Sequence, residues 1–186
     1  MIPGVKPKLD IRAKVRAGVK TNGQPRASDH FHSLDQTFTS RLGAPATLTI
    51  KFHSSSPEDI FPTGLELWGS NGTLKCWCAD GHMAHRLNNH GEVVDTPCTH
   101  PDCQQFQLAN CKGIGRLRFL IPELGPGVFQ LDTKSAHSIE GILGTLAAYE
   151  PIQTTWLWTL SLVKKTHKTN KWNVITITPA QTKESE

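Results

Sequence analysis

The sequence has no apolar run long enough to cross a membrane. Its most apolar stretches, residues 142–149 and 156–160, are far shorter than the ~20 residues that span a bilayer. The first ten residues contain no apolar stretch behind a basic start, so we expect no secretory signal. These absences predict a cytoplasmic protein with no membrane partner.

The sequence also has few marks of catalysis. It contains no G-x-S-x-G nucleophile motif, no H-E-x-x-H zinc motif and no glycine-rich phosphate loop. The P-C-x-x-C half of the zinc-deaminase signature is missing as well, because four residues, not two, separate Cys98 from Cys103. We therefore expect the protein not to be an enzyme.

Charge of either sign is modest. Twenty Lys and Arg against 16 Asp and Glu leave a net charge of +4, which permits contact with nucleic acid without requiring it. Hydrophobic residues make up 37% of the 186 residues, which is enough for a folded core. Glycine (15) and proline (12) are frequent, so we expect many turns and few long helices.

Alternation of apolar and polar residues predicts a chain made mainly of strands. It is clearest at residues 9–20, where one face is apolar and the other basic. It recurs in several later segments: 46–52, 65–68, 73–77, 115–121, 127–132, 156–162 and 172–178. Residues 28–45 look polar and irregular, and residues 164–171 are expected to form a basic turn within a closing hairpin.

Helical spacing is confined to two places. A short helix is expected after Ser56, and a longer one, capped by Ser135 or Ser138, is expected to run to Tyr149. With no repeat and no βαβ series, the pattern predicts an α+β fold with a mainly antiparallel sheet and one principal helix.

The expected organisation is a single α+β domain over residues 1–178, followed by a polar tail at residues 179–186. The domain would carry a zinc-stapled loop insertion at residues 76–112, a stretch too polar to form much core of its own.

All five cysteines lie within 36 residues, and the other 150 residues contain none. A disulfide framework would spread them and favour an even number, so the cluster favours a metal site. Zinc held by thiolates can supply ~10 kcal/mol or more of local folding free energy, which would replace the missing core. The cofactor is therefore expected to be Zn²⁺, and the preferred ligands are Cys78, Cys98, Cys103 and Cys111.

Several choices at this site stay open. We expect only one of Cys76 and Cys78 to bind the metal, because an extended flank should separate their side chains, and the Asp80-Gly81 turn favours Cys78. A histidine could replace one thiolate; the candidates are His82, His85, His90 and His100. A metal hydrolase would use Asp80 or Glu92 on a metal-bound water, but a site with four thiolates leaves no place for that water.

Two groups of cations are candidates for contact with nucleic acid or with a protein partner. One group lies on the first strand and the other in the expected basic turn: Lys14, Arg16 and Lys20, and Lys164, Lys165, Lys168 and Lys171. Both groups could bind phosphate groups. The alternative for the first group is that it forms only the solvated face of its strand.

Several segments together resemble a known family. They include residues 15–20, 65–69, Cys78-Ala79-Asp80-Gly81, Pro97-Cys98, and Cys111-Lys112 running into residues 115–123. Over most of residues 11–178 the chain resembles the phage recombination directionality factors. These are accessory partners of large serine integrases, and their relatives in mobile elements are often labelled metal-binding proteins.

The resemblance implies a non-enzymatic zinc-binding protein that binds a large serine integrase and biases site-specific recombination towards excision. It also implies that Cys78, Cys98, Cys103 and Cys111 are the metal cysteines. The histidine-rich residues 81–96 and the extra Cys76 depart from the family pattern. The alternative is a zinc-bearing nucleic-acid-binding subunit of a ribonucleoprotein effector or recombination complex, in which DNA or RNA could be contacted directly.

Overall fold

The computed structural model of the protein describes residues 9–21, 24–79, 81–108, 110–167 and 170–180. The strands are, in chain order, β1 (Ile11–Thr21), β2 (Gln24–Ser33), β3 (Thr47–Ile50), β4 (Thr63–Trp68), β5 (Leu74–Cys78), β6 (Met83–Leu87), β7 (Val93–Pro97), β8 (Cys111–Leu120), β9 (Val128–Thr133), β10 (Trp158–His167) and β11 (Asn170–Pro179). The helices are α1 (Gln36–Leu42), α2 (Pro57–Ile60), α3 (Gln104–Gln107) and α4 (Ala136–Ala148), with a 3-10 turn at Pro122–Leu124.

The strands form two sheets. The larger has eight strands in the order β2-β1-β9-β8-β4-β5-β6-β7, and the smaller has three in the order β11-β10-β3. β1 and β9 pair in parallel, whereas the other strand pairings in the described part of the chain are antiparallel. The α+β class predicted from the sequence is confirmed, and the large sheet is mixed.

The first strand has the two faces that its alternation predicts. Val15 is 1% exposed and belongs to the core, while Lys14 and Arg16 on either side are exposed. Val15 lies opposite Leu131 of β9 and opposite Ser33 of β2, so β1 fills the place between those strands. The basic face is only partly open to solvent, because Arg12 is partly buried and pairs with Asp35.

The prediction that residues 28–45 are irregular is wrong. This stretch contains the end of β2, all of α1 and two core side chains, Phe31 and Phe38. β2 is the last described strand at one side of the sheet, and backbone pairing with β1 keeps it in place. A strand in that position can therefore be polar. Asp35 is the N-cap of α1, and its side chain accepts a hydrogen bond from the Phe38 N–H at 2.8 Å.

Replacing Asp35 with alanine is expected to lower the free energy of unfolding by about 1 kcal/mol, the usual cost of losing an N-cap. The Asp35→Asn variant keeps a capping oxygen and should lose less. The Phe38 N–H, and then the Arg12 guanidinium, hold the pKa of Asp35 below its ordinary value. The stabilisation by the Asp35 charge is therefore present above the ordinary carboxyl pKa and is lost as the pH falls through the lowered one.

Urea denaturation of both Asp35 variants, near neutral pH and in acid, measures these effects. The difference between the wild type and Asp35→Asn should shrink in acid. Equal stability of the wild type and Asp35→Ala near neutral pH would contradict the role of the cap.

The longest described helix, α4, is fixed by its own serines. Ser135 is the N-cap and accepts a hydrogen bond from the Ser138 N–H at 3.3 Å. The Ser138 hydroxyl is buried and accepts a hydrogen bond from the Ile175 N–H of β11 at 3.0 Å. Of the two serines proposed as caps, Ser135 is the cap and Ser138 attaches the helix to the small sheet.

The hydrophobic core lies between the two sheets and α4. Its largest fully buried side chains are Trp158, Phe31, Phe38, Phe52, Phe61, Phe119 and Phe129. The sheets are joined where the backbones of Lys51 and Leu120 exchange two hydrogen bonds, at 2.8 and 2.9 Å. Of the described residues between 62 and 113, none belongs to this core cluster.

The cysteine-rich segment extends the large sheet. The turn residues Gly69-Ser70-Asn71-Gly72 between the alternating segments 65–68 and 73–77 predict a hairpin, and β4 and β5 form it on either side of this turn. The loop expected at residues 76–112 is instead largely built of β6, β7 and α3. Its backbone groups pair with neighbouring strands, which makes regular structure possible without much apolar burial.

The closing hairpin is confirmed as β10 and β11, but the prediction that residues 164–171 form a turn is wrong. β10 runs to His167 and β11 starts at Asn170, and Lys164 lies opposite Asn173 within the antiparallel ladder. The hairpin continues because each added residue pair gains backbone hydrogen bonds. The described helices include none that is both long and apolar enough to span a bilayer.

Candidate metal centre

All five cysteines line one cavity of about 140 Å³ at the β4–β7 end of the large sheet. None of them forms a disulfide. Cys76 and Cys78 lie on β5, Cys98 follows β7, Cys103 precedes α3 and Cys111 begins β8. Folding thus brings together thiols that are up to 35 positions apart in the chain.

Two of the thiols are aligned by strand register. Leu67 of β4 lies opposite Cys76 of β5 on one side and opposite Cys111 of β8 on the other. Directly opposed residues project from the same face of a sheet. Cys76, Leu67 and Cys111 therefore form one row across three strands.

The remaining two thiols, those of Cys98 and Cys103, come from the segment between β7 and α3. The Cys98 N–H donates a hydrogen bond to the His82 carbonyl at 2.7 Å, which continues the pairing of β6 and β7. The Cys103 carbonyl accepts from the N–H groups of Phe106 and Gln107, at 2.9 and 3.0 Å, and so begins α3. The α3 helix in turn packs against β8.

Burial and neighbouring thiols both act on Cys76 and Cys111. Burial raises the pKa of the Cys76 thiol, and the charges of Cys98 and Cys103 raise it further, against the opposing effect of Arg86. Burial also raises the pKa of Cys111, with further increases from the charges of Cys76, Cys103 and Cys98. Ionisation of Cys76 and Cys111 is thus disfavoured, and a bound cation would favour it.

The donor set suits zinc better than a hard cation. Thiolates are soft ligands, and zinc takes four of them in closed structural sites. In the part of the chain that the structure describes, no three His, Cys, Asp or Glu side chains are arranged to hold a metal ion. Binding would therefore require the cysteines that line the cavity to rearrange.

The four histidines proposed as substitute ligands are separated by the fold. His100 lines the cavity, with its ring 4.2 Å from that of Phe106. The ring of His85 lies 5.1 Å from that of Trp77, and its Nδ1 lies 2.6 Å from an Asp95 oxygen. Trp77, His85 and Asp95 alternate with the cavity-lining residues along β5–β7, so they occupy the opposite face of the sheet. His82 is exposed.

The remaining candidate, His90, belongs to an H-x-E triplet, His90-Gly91-Glu92. The triplet lies in the exposed turn between β6 and β7, and Asn88 binds its backbone and the Glu92 carboxylate. Neither His90 nor Glu92 lines the cysteine cavity. The triplet is therefore not arranged with the cysteines as a deaminase site requires. Asp80, the other proposed acid, lies outside the described residues.

A family model described as Gp3-like, recombination directionality factor-like, matches residues 11–180. The chain belongs to this Gp3-like family. The matched region starts at the first residue of β1, ends just after β11 and includes all five cysteines. No curated protein and no solved structure matches the chain.

In this Gp3-like protein the predicted basic residues whose side chains are described lie in two separate places. Lys14 and Arg16 line an open groove of about 1100 Å³ between the basic face of β1 and β11. Arg26 and Lys134 line the same groove and were missed, because neither belongs to a basic run in the sequence. Lys14 is partly neutralised by Asp132, with the two charged atoms 2.7 Å apart.

The basic residues of the last hairpin lie elsewhere. Lys164 and Lys165 are exposed, and the ammonium of Lys164 lies 3.4 Å from an Asp29 oxygen. Neither lines the groove. The side chains of Lys20 and Lys171, and the whole of Lys168, lie outside the described set.

Proposed function

We propose that this protein is a non-catalytic, zinc-binding accessory factor that binds a large serine integrase and biases site-specific recombination towards excision. The observation that carries the proposal is the family match over residues 11–180. The shared cavity of five thiols supports the zinc part of it.

The proposed zinc site is structural. Four thiolates saturate zinc, so no coordination position remains for a water or substrate. The cysteine-rich part of the sheet contributes nothing to the core cluster among its described residues, so a metal would supply stability where apolar packing is lacking. The nucleophile for DNA cleavage would belong to the integrase.

Control of direction requires a differential contact. A factor that binds two integrase arrangements equally shifts nothing, whatever its affinity. The contact surface has to be formed by exposed side chains. Among the tryptophans, Trp158 is fully buried, whereas Trp68 and Trp156 are 45% and 44% exposed and are available to a partner.

The test combines the purified protein with the large serine integrase encoded in the same genome, on integration and excision substrates. We expect the tagged protein to retain the integrase, to raise excision at least about tenfold and to depress integration, which corresponds to a coupling free energy of about 1.4 kcal/mol or more. An integrase lacking its catalytic serine is the control and should be retained without recombining. Normal integrase activity with no retention and no change in either direction would refute the proposal.

The alternative function is direct nucleic-acid binding, and the basic groove favours it. Four cations line the groove: Lys14, Arg16, Arg26 and Lys134. If the isolated protein binds DNA or RNA there, affinity should fall steeply with salt, and Arg16→Gln should reduce the salt slope by about 1. Lys165→Gln, an exposed change outside the groove, is the matched control. Salt-independent or undetectable binding would refute the nucleic-acid alternative and leave only the integrase proposal.

A further inference from the structure

A second pocket, of about 500 Å³, lies beside β4 and is separate from the basic groove. It surrounds Trp68 and is called the Trp68 pocket below. Three lysines from three parts of the chain line it: Lys75 of β5, Lys112 of β8 and Lys134, which follows β9. We infer that the Trp68 pocket is the surface that binds the integrase, and that it takes an acidic segment of that partner. This inference rests on the integrase binding proposed above.

The three lysines bring positive charge to the pocket without a counter-charge. All three are exposed, and within the described parts of the chain none of their ammonium groups forms an ion pair. The carboxylate that lines the pocket, Glu66, is already paired with the Arg116 guanidinium. Cations gathered in a concave site attract an anionic partner and speed its association.

Trp68 gives the pocket an apolar anchor next to these charges. Its side chain is 45% exposed, and its indole N–H donates a hydrogen bond to Glu66 at 2.8 Å, which holds the ring in place. The Lys134 ammonium lies 5.9 Å from the centre of the same ring. Tryptophan is among the residues most enriched at the hot spots of protein interfaces. The pocket therefore offers apolar contact and positive charge side by side.

The same geometry favours protein carboxylates over a nucleic-acid strand. The Lys134 ammonium lies over one face of the Trp68 ring, so that face is not open to a stacking base. The Glu66 carboxylate also lines the pocket. A nucleic-acid strand has a phosphate on every nucleotide and would bring several charges past this carboxylate, whereas a peptide can place single carboxylates beside the lysines.

The pocket can be altered without changing the cysteine cavity. The two share a wall, because Leu67 and Gln105 line both. Trp68, Lys75 and Lys112 line the Trp68 pocket and not the cysteine cavity. Variants at these three positions therefore test the docking surface rather than the thiols.

The experiment measures the affinity of the full-length protein and its variants for the purified large serine integrase encoded in the same genome, by biolayer interferometry. Trp68→Ala should weaken binding at least about tenfold. Trp156→Ala is the matched control, since Trp156 is exposed to nearly the same extent, 44%, and should change affinity by less than about twofold. Circular dichroism verifies folding, because Trp68→Ala also removes the hydrogen bond to Glu66.

A series at Lys112 tests the charge of the partner and leaves Trp68 intact. Lys112→Arg keeps the positive charge and should bind like the wild type, Lys112→Gln should bind more weakly, and Lys112→Glu should bind at least about fivefold more weakly. The loss in Lys112→Glu should shrink as salt is added. Lys75→Glu should behave like Lys112→Glu. Lys165→Glu, an exposed change outside the pocket, is the control and should bind like the wild type.

The outcomes separate the two proposals. A wild-type protein that does not bind the integrase refutes the integrase proposal and this inference with it. A wild-type protein that binds, with equal binding by folded Trp68→Ala or by both Lys112→Arg and Lys112→Glu, refutes this inference alone. Binding of a DNA or RNA oligonucleotide that Trp68→Ala abolishes, with integrase binding unchanged, would assign the pocket to nucleic acid and also refute it.

Discussion

If the proposed zinc ion is bound, its removal is expected to unfold the cysteine-rich end of the large sheet while the core between the two sheets survives. The reason is the uneven distribution of apolar burial: described residues 62–113 contribute nothing to the core cluster, whereas β9, β10 and α4 contribute several side chains. Structural zinc sites supply on the order of 10 kcal/mol. Without that contribution, β5, β6, β7 and α3 lack the burial needed to offset their conformational entropy.

Amide hydrogen exchange measured with and without a strong chelator tests this prediction. Protection should fall by at least about a hundredfold in β6, β7 and α3, and remain in β9 and β10, as expected for a local opening rather than global unfolding. Adding zinc back should restore the protection. The expectation fails if the chelator leaves protection in β6 and β7 unchanged, or if it unfolds β9 and β10 to the same extent.

The second large effect is expected from Arg116→Met, at about 3 kcal/mol of lost stability. Glu66 is 5% exposed on β4, and its carboxylate pairs with the Arg116 guanidinium of β8. The Trp68 indole N–H donates to the other carboxylate oxygen at 2.8 Å. Removing the guanidinium leaves the buried Glu66 charge with one neutral donor. The cost of that unpaired charge exceeds the stabilisation that the ion pair itself provides.

A double variant distinguishes this cause from a simple loss of packing. Glu66→Gln combined with Arg116→Met removes both charges while keeping the Trp68 hydrogen bond, so it should recover most of the stability. Arg16→Met, a change at an exposed arginine, is the matched control and should change stability by less than about 0.5 kcal/mol. Urea denaturation gives all four values. A loss in the double variant as large as in Arg116→Met would contradict the buried-charge argument.

The parts of the fold that could be predicted are those decided by local pattern. The β4–β5 hairpin follows from its turn residues, and α4 follows from the serine cap and the spacing up to Tyr149. β2 was missed because polar residues such as Asp29 and His30 break the apolar alternation, and its stability comes from pairing with β1. The parallel pairing of β1 with β9 could not be predicted from the alternation of residues in either strand.

The candidate site shows the same division. Clustering in the sequence was sufficient to predict that the cysteines belong together, and the structure places all five around one cavity. The expected separation of Cys76 from Cys78 is wrong, because residues two apart on a strand project from the same face, and both thiols line the cavity. Sequence spacing also could not show that Leu67 aligns Cys76 with Cys111. Register between strands joined by a long insertion is a tertiary property.

The parallel pairing of β1 with β9 has a consequence for biosynthesis. Val15 leaves the ribosome more than a hundred residues before Leu131, the residue opposite it in the finished sheet. Until then the nascent N-terminal hairpin carries an uncovered apolar face and an unpaired strand edge. The sheet cannot be completed until β9 has been synthesised, so during that interval the exposed edge is open to intermolecular strand pairing.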